Sequence, residues 1–292
     1  MRLAELKKVT YPETFAEAVR ILAEGKDRAM ALSGGVSFVF APLKSVEELV
    51  CLSRLPLSYV REEKGGLRIG AVTPVADLAA SPAAGRYGGG ILRQVARRIG
   101  STLNRNLITV GGNLVQPFIW SDLPTVALAF SASMVIQGPK GRRTLKAEKF
   151  FSRMPKQVLK EGELLTEVVF PPLEKNSRTA FEQFSLTEVD FAYLKTAVRL
   201  SRSGKKCLDL AIVIGSATIL PQRMEEAEGV LRGRTANQVL VNEASEVAAE
   251  ELKIKRDIRC SEDYKRDLAR AQVRGILERI LLDQKVPEWK LF

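Results

Sequence analysis

Two glycine pairs constrain this chain more than any other feature of its sequence. "RAMALSGGVSF" places Gly34 and Gly35 directly behind a short apolar run, and "NLITVGGNLV" places Gly111 and Gly112 behind another. Each pair stands beside hydroxyl or amide side chains, Ser33 and Ser37 in the first, Thr109 and Asn113 in the second. A residue without a side chain lets backbone N–H groups approach an anion, and it also lets a chain turn tightly. Taken singly, each pair fits either purpose. Neither follows the G-x-G-x-x-G pattern of a Rossmann site or the G-K-[ST] ending of a P-loop. Brought together on rigid elements, two such loops would hold both phosphates of a dinucleotide from opposite sides.

Other chemistry is narrowed by what the chain lacks. The 292 residues contain no histidine, so no imidazole serves as base, proton shuttle or metal ligand. Three cysteines, Cys51, Cys207 and Cys260, lie far apart, which argues against a disulfide framework, a cysteine zinc site or an iron–sulfur cluster held by this chain alone. Cys51 in "ELVCLS" reads as a small core residue. No metal site and no catalytic acid or base is assigned. No stretch is long and apolar enough to span a bilayer, and "MRLAELKKVTYPETF" has no apolar leader core, so a cytoplasmic chain is expected. The net charge of +11 suits an anionic cofactor, an acidic partner subunit or nucleic acid. The densest basic cluster, "KGRR" at Lys140–Arg143, reads as a hairpin turn, and no aromatic residues interleave with basic ones as a stacking platform. Nucleic acid is therefore not an expected partner.

Patterning divides the chain into three parts. Residues 1–55 read as a parallel α/β lobe: strand "LKKVT", helix "TFAEAVRILAEG", strands "RAMALS" and "ELVCLS". Residues 56–174 read as a second lobe. It has hairpins at "LSYVREEKGGLRIGAVT" and "ASMVIQGPKGRRTLKAEKFF", a helix at "TPVADLAAS" capped by Thr73 with Pro74 in its first turn, and a helix at "ILRQVARRIGS". "TLNRNLITVGGNLVQPFIWSDLP" reads as irregular, "ELLTEVVFP" as a strand, and Ser121 or Asp122 as the cap of a helix at "LPTVALAF". A boundary falls in "PPLEKNSR". Residues 175–292 read as strands in "AYLKTAVRLSRSGKKCLDLAIVIGSATILPQRM" followed by three helical segments, an α+β domain.

The succession "SGGVSF", "LRIGAVTPVADL", "IGSTLNRNLITVGGNLVQPFIWSDLP" and "GELLTEVVFP" resembles the FAD-binding medium subunits of the molybdenum hydroxylases, the xanthine dehydrogenase and carbon monoxide dehydrogenase family. The resemblance covers nearly the whole chain and is fainter in the last third, where "FEQFSLTEVDFAYL" and "CSEDYKRDLA" carry it. It implies an α+β protein: a two-lobed FAD domain of the vanillyl-alcohol oxidase type, then an α+β domain with a small antiparallel sheet and helices. By position, Leu32, Ser33, Gly34, Gly35, Val36, Ser37 and Phe38 form the first pyrophosphate loop, and Ile108, Thr109, Val110, Gly111, Gly112 and Asn113 the second. Ser121 and Asp122 reach the ribose or adenine. Leu164, Leu165 and Ile99 give apolar contacts, and Asp190 matches an acidic position of the family. The resemblance further implies a molybdopterin-containing large subunit, a [2Fe–2S] small subunit, and NAD or a quinone as acceptor. A stand-alone flavoprotein of the same fold, or a basic nucleic-acid-binding or scaffold module, are the alternatives. The chain departs from the family at Val36, where Gln or His is common, at Leu103, at "PFIW" in place of small residues, and at Glu182, Leu186 and Thr187, where basic residues are common. These departures bear on flavin tuning and the choice of acceptor.

Overall fold

A parallel three-stranded sheet opens the chain. β1 (Lys8–Thr10), β2 (Ala29–Leu32) and β3 (Glu48–Cys51) stand in the order β1-β3-β2. Helix α1 (Phe15–Gly25) crosses over between β1 and β2, which flank β3 on either side. The Thr14 hydroxyl caps α1 by accepting from the Glu17 amide, and Ala18, Val19, Ile21 and Leu22 form its buried stripe. This computed structural model describes residues 6–40, 45–188 and 190–285.

A five-stranded antiparallel sheet follows, built from β4 (Val60–Glu63), β5 (Gly66–Gly70), β6 (Ser133–Gly138), β7 (Gly141–Lys146) and β8 (Leu164–Phe170), in the order β4-β5-β8-β6-β7. Between β5 and β6 run α2 (Val75–Ala80), α3 (Ile91–Arg98), α4 (Thr102–Leu107), α5 (Val110–Val115) and α6 (Leu123–Ala129). The apolar faces of α2, α3, α5 and α6 meet the sheet in one core around Leu67, Ile69, Leu92, Val126, Phe130 and Met134, whereas α4 buries no residue.

The last part is an antiparallel sheet of β9 (Ser177–Phe184), β10 (Leu194–Ser203), β11 (Lys206–Gly215) and β12 (Gln222–Arg223), in the order β12-β11-β10-β9. Helices α7 (Glu225–Leu231), α8 (Gln238–Glu251) and α9 (Glu262–Ile280) close the core over one face. On that face the Thr196 hydroxyl donates to Gln272 of α9 at 2.7 Å, and Arg279 of α9 pairs with Glu182 at 2.8 Å. The other face meets α6. A Cβ built on Gly215 would lie 2.2 Å from the Thr125 hydroxyl, so only glycine lets α6 lie this close. The C-terminal sheet is thus layered between its own helices and the second lobe, and that docking brings it to the site.

Three expectations change here. Thr73 does not cap α2. Its hydroxyl accepts from the Tyr59 amide and donates to the Tyr59 carbonyl, and Pro74 takes the cap position. The stretch read as irregular contains α4 and α5, each of six residues and too short to show periodicity. Strand β9 was not expected as an element. Four consecutive residues of it, Ala180–Gln183, are buried, so the alternation that marks a half-exposed strand is absent.

Candidate functional site

The two glycine loops touch. A Cβ on Gly34 would lie 1.5 Å from the carbonyl oxygen of Leu107, where α4 ends one turn before the second loop. Gly34 therefore lets the first loop rest directly on the backbone of the second. Gly35 has φ +76°, a conformation that favours glycine, and it reverses the chain into the turn that begins at Val36. Between and beyond the loops opens a cleft of about 460 Å³.

The loops are chemically unequal. Among the described residues, the amides of Gly34 and Gly35 donate to no protein acceptor. Ser33 Oγ is buried without a hydrogen-bond partner. The first loop therefore faces the cleft with unsatisfied donors, as an anion site requires. The second loop differs from expectation. The Gly111 amide donates to the Ala71 carbonyl at 2.7 Å, and the Gly112 amide donates to the Thr109 hydroxyl at 3.2 Å, capping α5. These glycines serve packing: a Cβ on Gly111 would lie 2.7 Å from both the Cβ and the carbonyl oxygen of Ala71. What the second loop offers a ligand is the remaining hydroxyl proton of Thr109 and the carboxamide N–H donors of Asn113. Asn113 is also engaged, its Oδ1 accepting from the Leu123 amide at 3.2 Å and so capping α6.

Of the residues singled out in the sequence, Leu32–Phe38, Ile99, Ile108, Thr109, Gly111, Gly112, Asn113, Ser121, Asp122, Leu164, Leu165 and Asp190 all line this one cleft. Val110 does not. It is 1% exposed and packs in the core of the second lobe. Ile99 ends α3 and is held there by Arg105, whose guanidinium donates to the carbonyls of Arg97 and Gly100.

Asp122 stands at the cap position of α6 but makes no capping bond. Its Oδ1 instead meets Lys195 Nζ of β10 at 2.5 Å, and that ammonium also donates to the Trp120 carbonyl at 2.8 Å. Lys195 is fully buried. Burial pushes the Asp122 carboxyl up and the Lys195 ammonium down, and the charge of each partly offsets the shift of the other. The sequence did not single out Lys195, because its partner lies on a distant helix turn. The "PFIW" departure has a physical outcome. Phe118 and Trp120 stack at 5.0 Å, and Trp120 stacks on Phe191 at 4.3 Å, giving the cleft a wall of aromatic rings. Glu182, where basic residues are common, turns away from the cleft toward Arg279. Its neighbour Gln183 lines the cleft instead.

Open backbone amides, an unpartnered hydroxyl, aromatic walls and a buried carboxylate together fit a flavin dinucleotide: donors for the diphosphate and broad apolar surface for the rings. No cluster of three or more cysteine, aspartate or glutamate side chains able to hold a metal ion occurs among the described residues. No helix among them is long and apolar enough to cross a membrane.

Residues 4–173 match the family described as FAD binding domain in molybdopterin dehydrogenase, and residues 179–280 match the CO dehydrogenase flavoprotein C-terminal domain. The carbon monoxide dehydrogenase medium chain of Hydrogenophaga pseudoflava is 29% identical over 272 residues, 91% of this chain and 94% of that one. The 6-hydroxypseudooxynicotine dehydrogenase complex subunit alpha of Paenarthrobacter nicotinovorans is 30% identical, with 92% of each chain covered. A chain of the reconstituted CO dehydrogenase from Oligotropha carboxidovorans superposes with a TM-score of 0.88 at 27% identity, over 97% of this chain and 100% of that one. The chain belongs to the family of FAD-binding subunits of molybdopterin dehydrogenases, oxidoreductase subunits that pair a two-lobed flavin domain with a CO dehydrogenase flavoprotein C-terminal domain.

Proposed function

We propose that the chain is the electron-transfer subunit of a multisubunit molybdenum hydroxylase. In this reading a molybdopterin-containing large subunit oxidises the substrate, a small subunit carries electrons through [2Fe–2S] clusters, and this chain delivers them to NAD⁺, a quinone or another carrier. FAD supplies the exchange between one-electron and two-electron carriers. The chain's own residues bind and orient it: the Gly34 and Gly35 amides and the Ser33 and Thr109 hydroxyls toward the diphosphate, Asp122 toward cofactor hydroxyls, and Trp120, Phe191 and Ile99 along the rings.

The direct packing of Gly34 on the Leu107 carbonyl, with open amides beside it, carries this reading. Two acidic side chains of the cleft are engaged in ion pairs, which suits binding over acid–base chemistry. Asp122 is bound to Lys195, and Glu163 is held by Arg143 at 2.6 Å. Around the cleft, Leu107 and Phe191 are more than half exposed, and Leu103, one turn before Leu107 on α4, is 78% exposed. Exposed apolar side chains beside a redox cleft suit a partner subunit. Two of the hairpin cations pair within the chain, Arg143 with Glu163 and Arg142 with Glu167.

The full-length chain, affinity-tagged in its native host, tests this. It is expected to emerge yellow-brown, with flavin and iron–sulfur absorption, together with a molybdopterin subunit and a cysteine-rich small subunit. Flavin with no partner chains favours a stand-alone flavoenzyme, and colourless protein contradicts the reading.

A further inference from the structure

Gln183 is 7% exposed and lines the cleft. Its Oε1 is buried and accepts no hydrogen bond. An unpaired buried acceptor is costly unless a ligand brings the donor. Gln183 sits on β9 directly opposite Lys195 on β10, so both side chains leave the sheet on the same face. Lys195 binds the Trp120 carbonyl, and Trp120 stacks on Phe191. The carboxamide therefore lies at the aromatic end of the cleft. At the other end, Leu164 packs into the first lobe with Ala18, Leu22 and Leu52, and Arg143 closes off Glu163.

A flavin ring presents one edge with a distinctive pattern, an N3–H donor flanked by carbonyl acceptors. A carboxamide carries one acceptor and one donor group side by side in a plane, which complements that edge. We propose that the Gln183 carboxamide hydrogen-bonds the imide edge of the flavin, Oε1 accepting from N3–H while Nε2 donates to the adjacent carbonyl. The C-terminal sheet then supplies the residue that reads the ring, and Lys195 acts as a positioning residue through Asp122 and Trp120. This rests on FAD occupying the cleft as proposed above.

The test compares FAD with 3-methyl-FAD, which lacks the N3–H, on the deflavinated full-length chain, with binding read by quenching of tryptophan emission and by calorimetry. The wild-type chain is expected to bind 3-methyl-FAD on the order of 10- to 100-fold more weakly, since methylation leaves a buried acceptor unpaired. Gln183→Leu is expected to bind both flavins alike. A wild-type chain that binds both equally overturns the assignment while leaving the FAD reading intact. So does a Gln183→Leu protein that keeps the preference, or one that loses FAD affinity when the wild type ignores methylation, as an adenine contact would require. A wild-type chain that takes neither flavin overturns both. The wild-type comparison stands even where Gln183→Leu fails to fold.

Discussion

Gly34→Ala is expected to lower FAD affinity on the order of a hundredfold or more while the protein stays folded. The reason is geometric. The new Cβ would fall 1.5 Å from the Leu107 carbonyl oxygen and 2.6 Å from its carbon. Both are backbone atoms, and the backbone there is fixed: the Ile108 amide donates to the Asn104 carbonyl, and the Ile108 carbonyl accepts from the Val75 amide at 2.8 Å. No rotamer relieves the overlap, so the first loop must lift off the second and carry its open amides with it. Overpacking of this kind costs about 1–3 kcal/mol or more where it occurs. Here the cost falls on the geometry of the diphosphate site. Gly112→Ala is expected to be milder, because its Cβ meets only the Thr109 hydroxyl, a side chain, at 2.9 Å. Gly229→Ala, on α7 with open space around it and no positive φ, is the control and leaves FAD affinity unchanged. Quenching of tryptophan emission and far-UV circular dichroism read the two effects separately. A Gly34→Ala protein with wild-type affinity contradicts the account of the loops.

The second large effect is on stability. Asp257→Ala is expected to destabilise the chain by about 3–5 kcal/mol, because it strands a fully buried ammonium. Lys265 is 0% exposed, and its Nζ meets Asp257 Oδ2 at 2.6 Å and the Ser216 carbonyl at 3.1 Å. Arg259 binds the same carboxylate at 2.6 Å and reaches the Ala192 carbonyl, beside Phe191 of the cleft wall. Burial pushes the Asp257 carboxyl up, but the hydrogen bonds from Arg259 and Lys265 outweigh it and hold the group well below the usual carboxylate range. The sign of the pH dependence follows. A carboxylate with a depressed folded pKa contributes stability that is fully present above its unfolded value, about 3.9, and lost as the pH falls below it. Thermal melts of the wild type are expected to drop steeply below about pH 4. Asp257→Ala is expected to melt on the order of 5–10 °C lower at neutral pH and to lose less on acidification. Equal melting temperatures at pH 7 contradict this view of the cluster.

How far these features were legible in the sequence depends on what a residue meets. Gly34 and Gly35 were visible as a loop no other residue type would build. The neighbour that makes Gly34 indispensable, the Leu107 carbonyl, is a backbone atom that sequence does not mark. Gly111 and Gly112 look the same on the page, yet their amides are turned inward, and only the packing of α5 on Ala71 shows it. Asp122 was noticed as a cap or ligand. Its true partner, Lys195, lies on a strand of another layer and carries no local signal. Glu182 and Gln183 are adjacent, and the period-two geometry of β9 sends one to Arg279 and the other to the cleft. The hairpins, α1 and the C-terminal helices were legible because apolar spacing and turn residues are local properties.

Comparing FAD with riboflavin on the deflavinated chain tests the central claim most directly, that the first glycine loop grips the diphosphate through its amides. Riboflavin lacks the diphosphate with its charge-assisted hydrogen bonds and the adenosine beyond it, so FAD is expected to bind on the order of a thousandfold more tightly. Equal affinities would mean that Gly34 and Gly35 hold no phosphate, and the cleft would have to be read as a pocket for a ring alone.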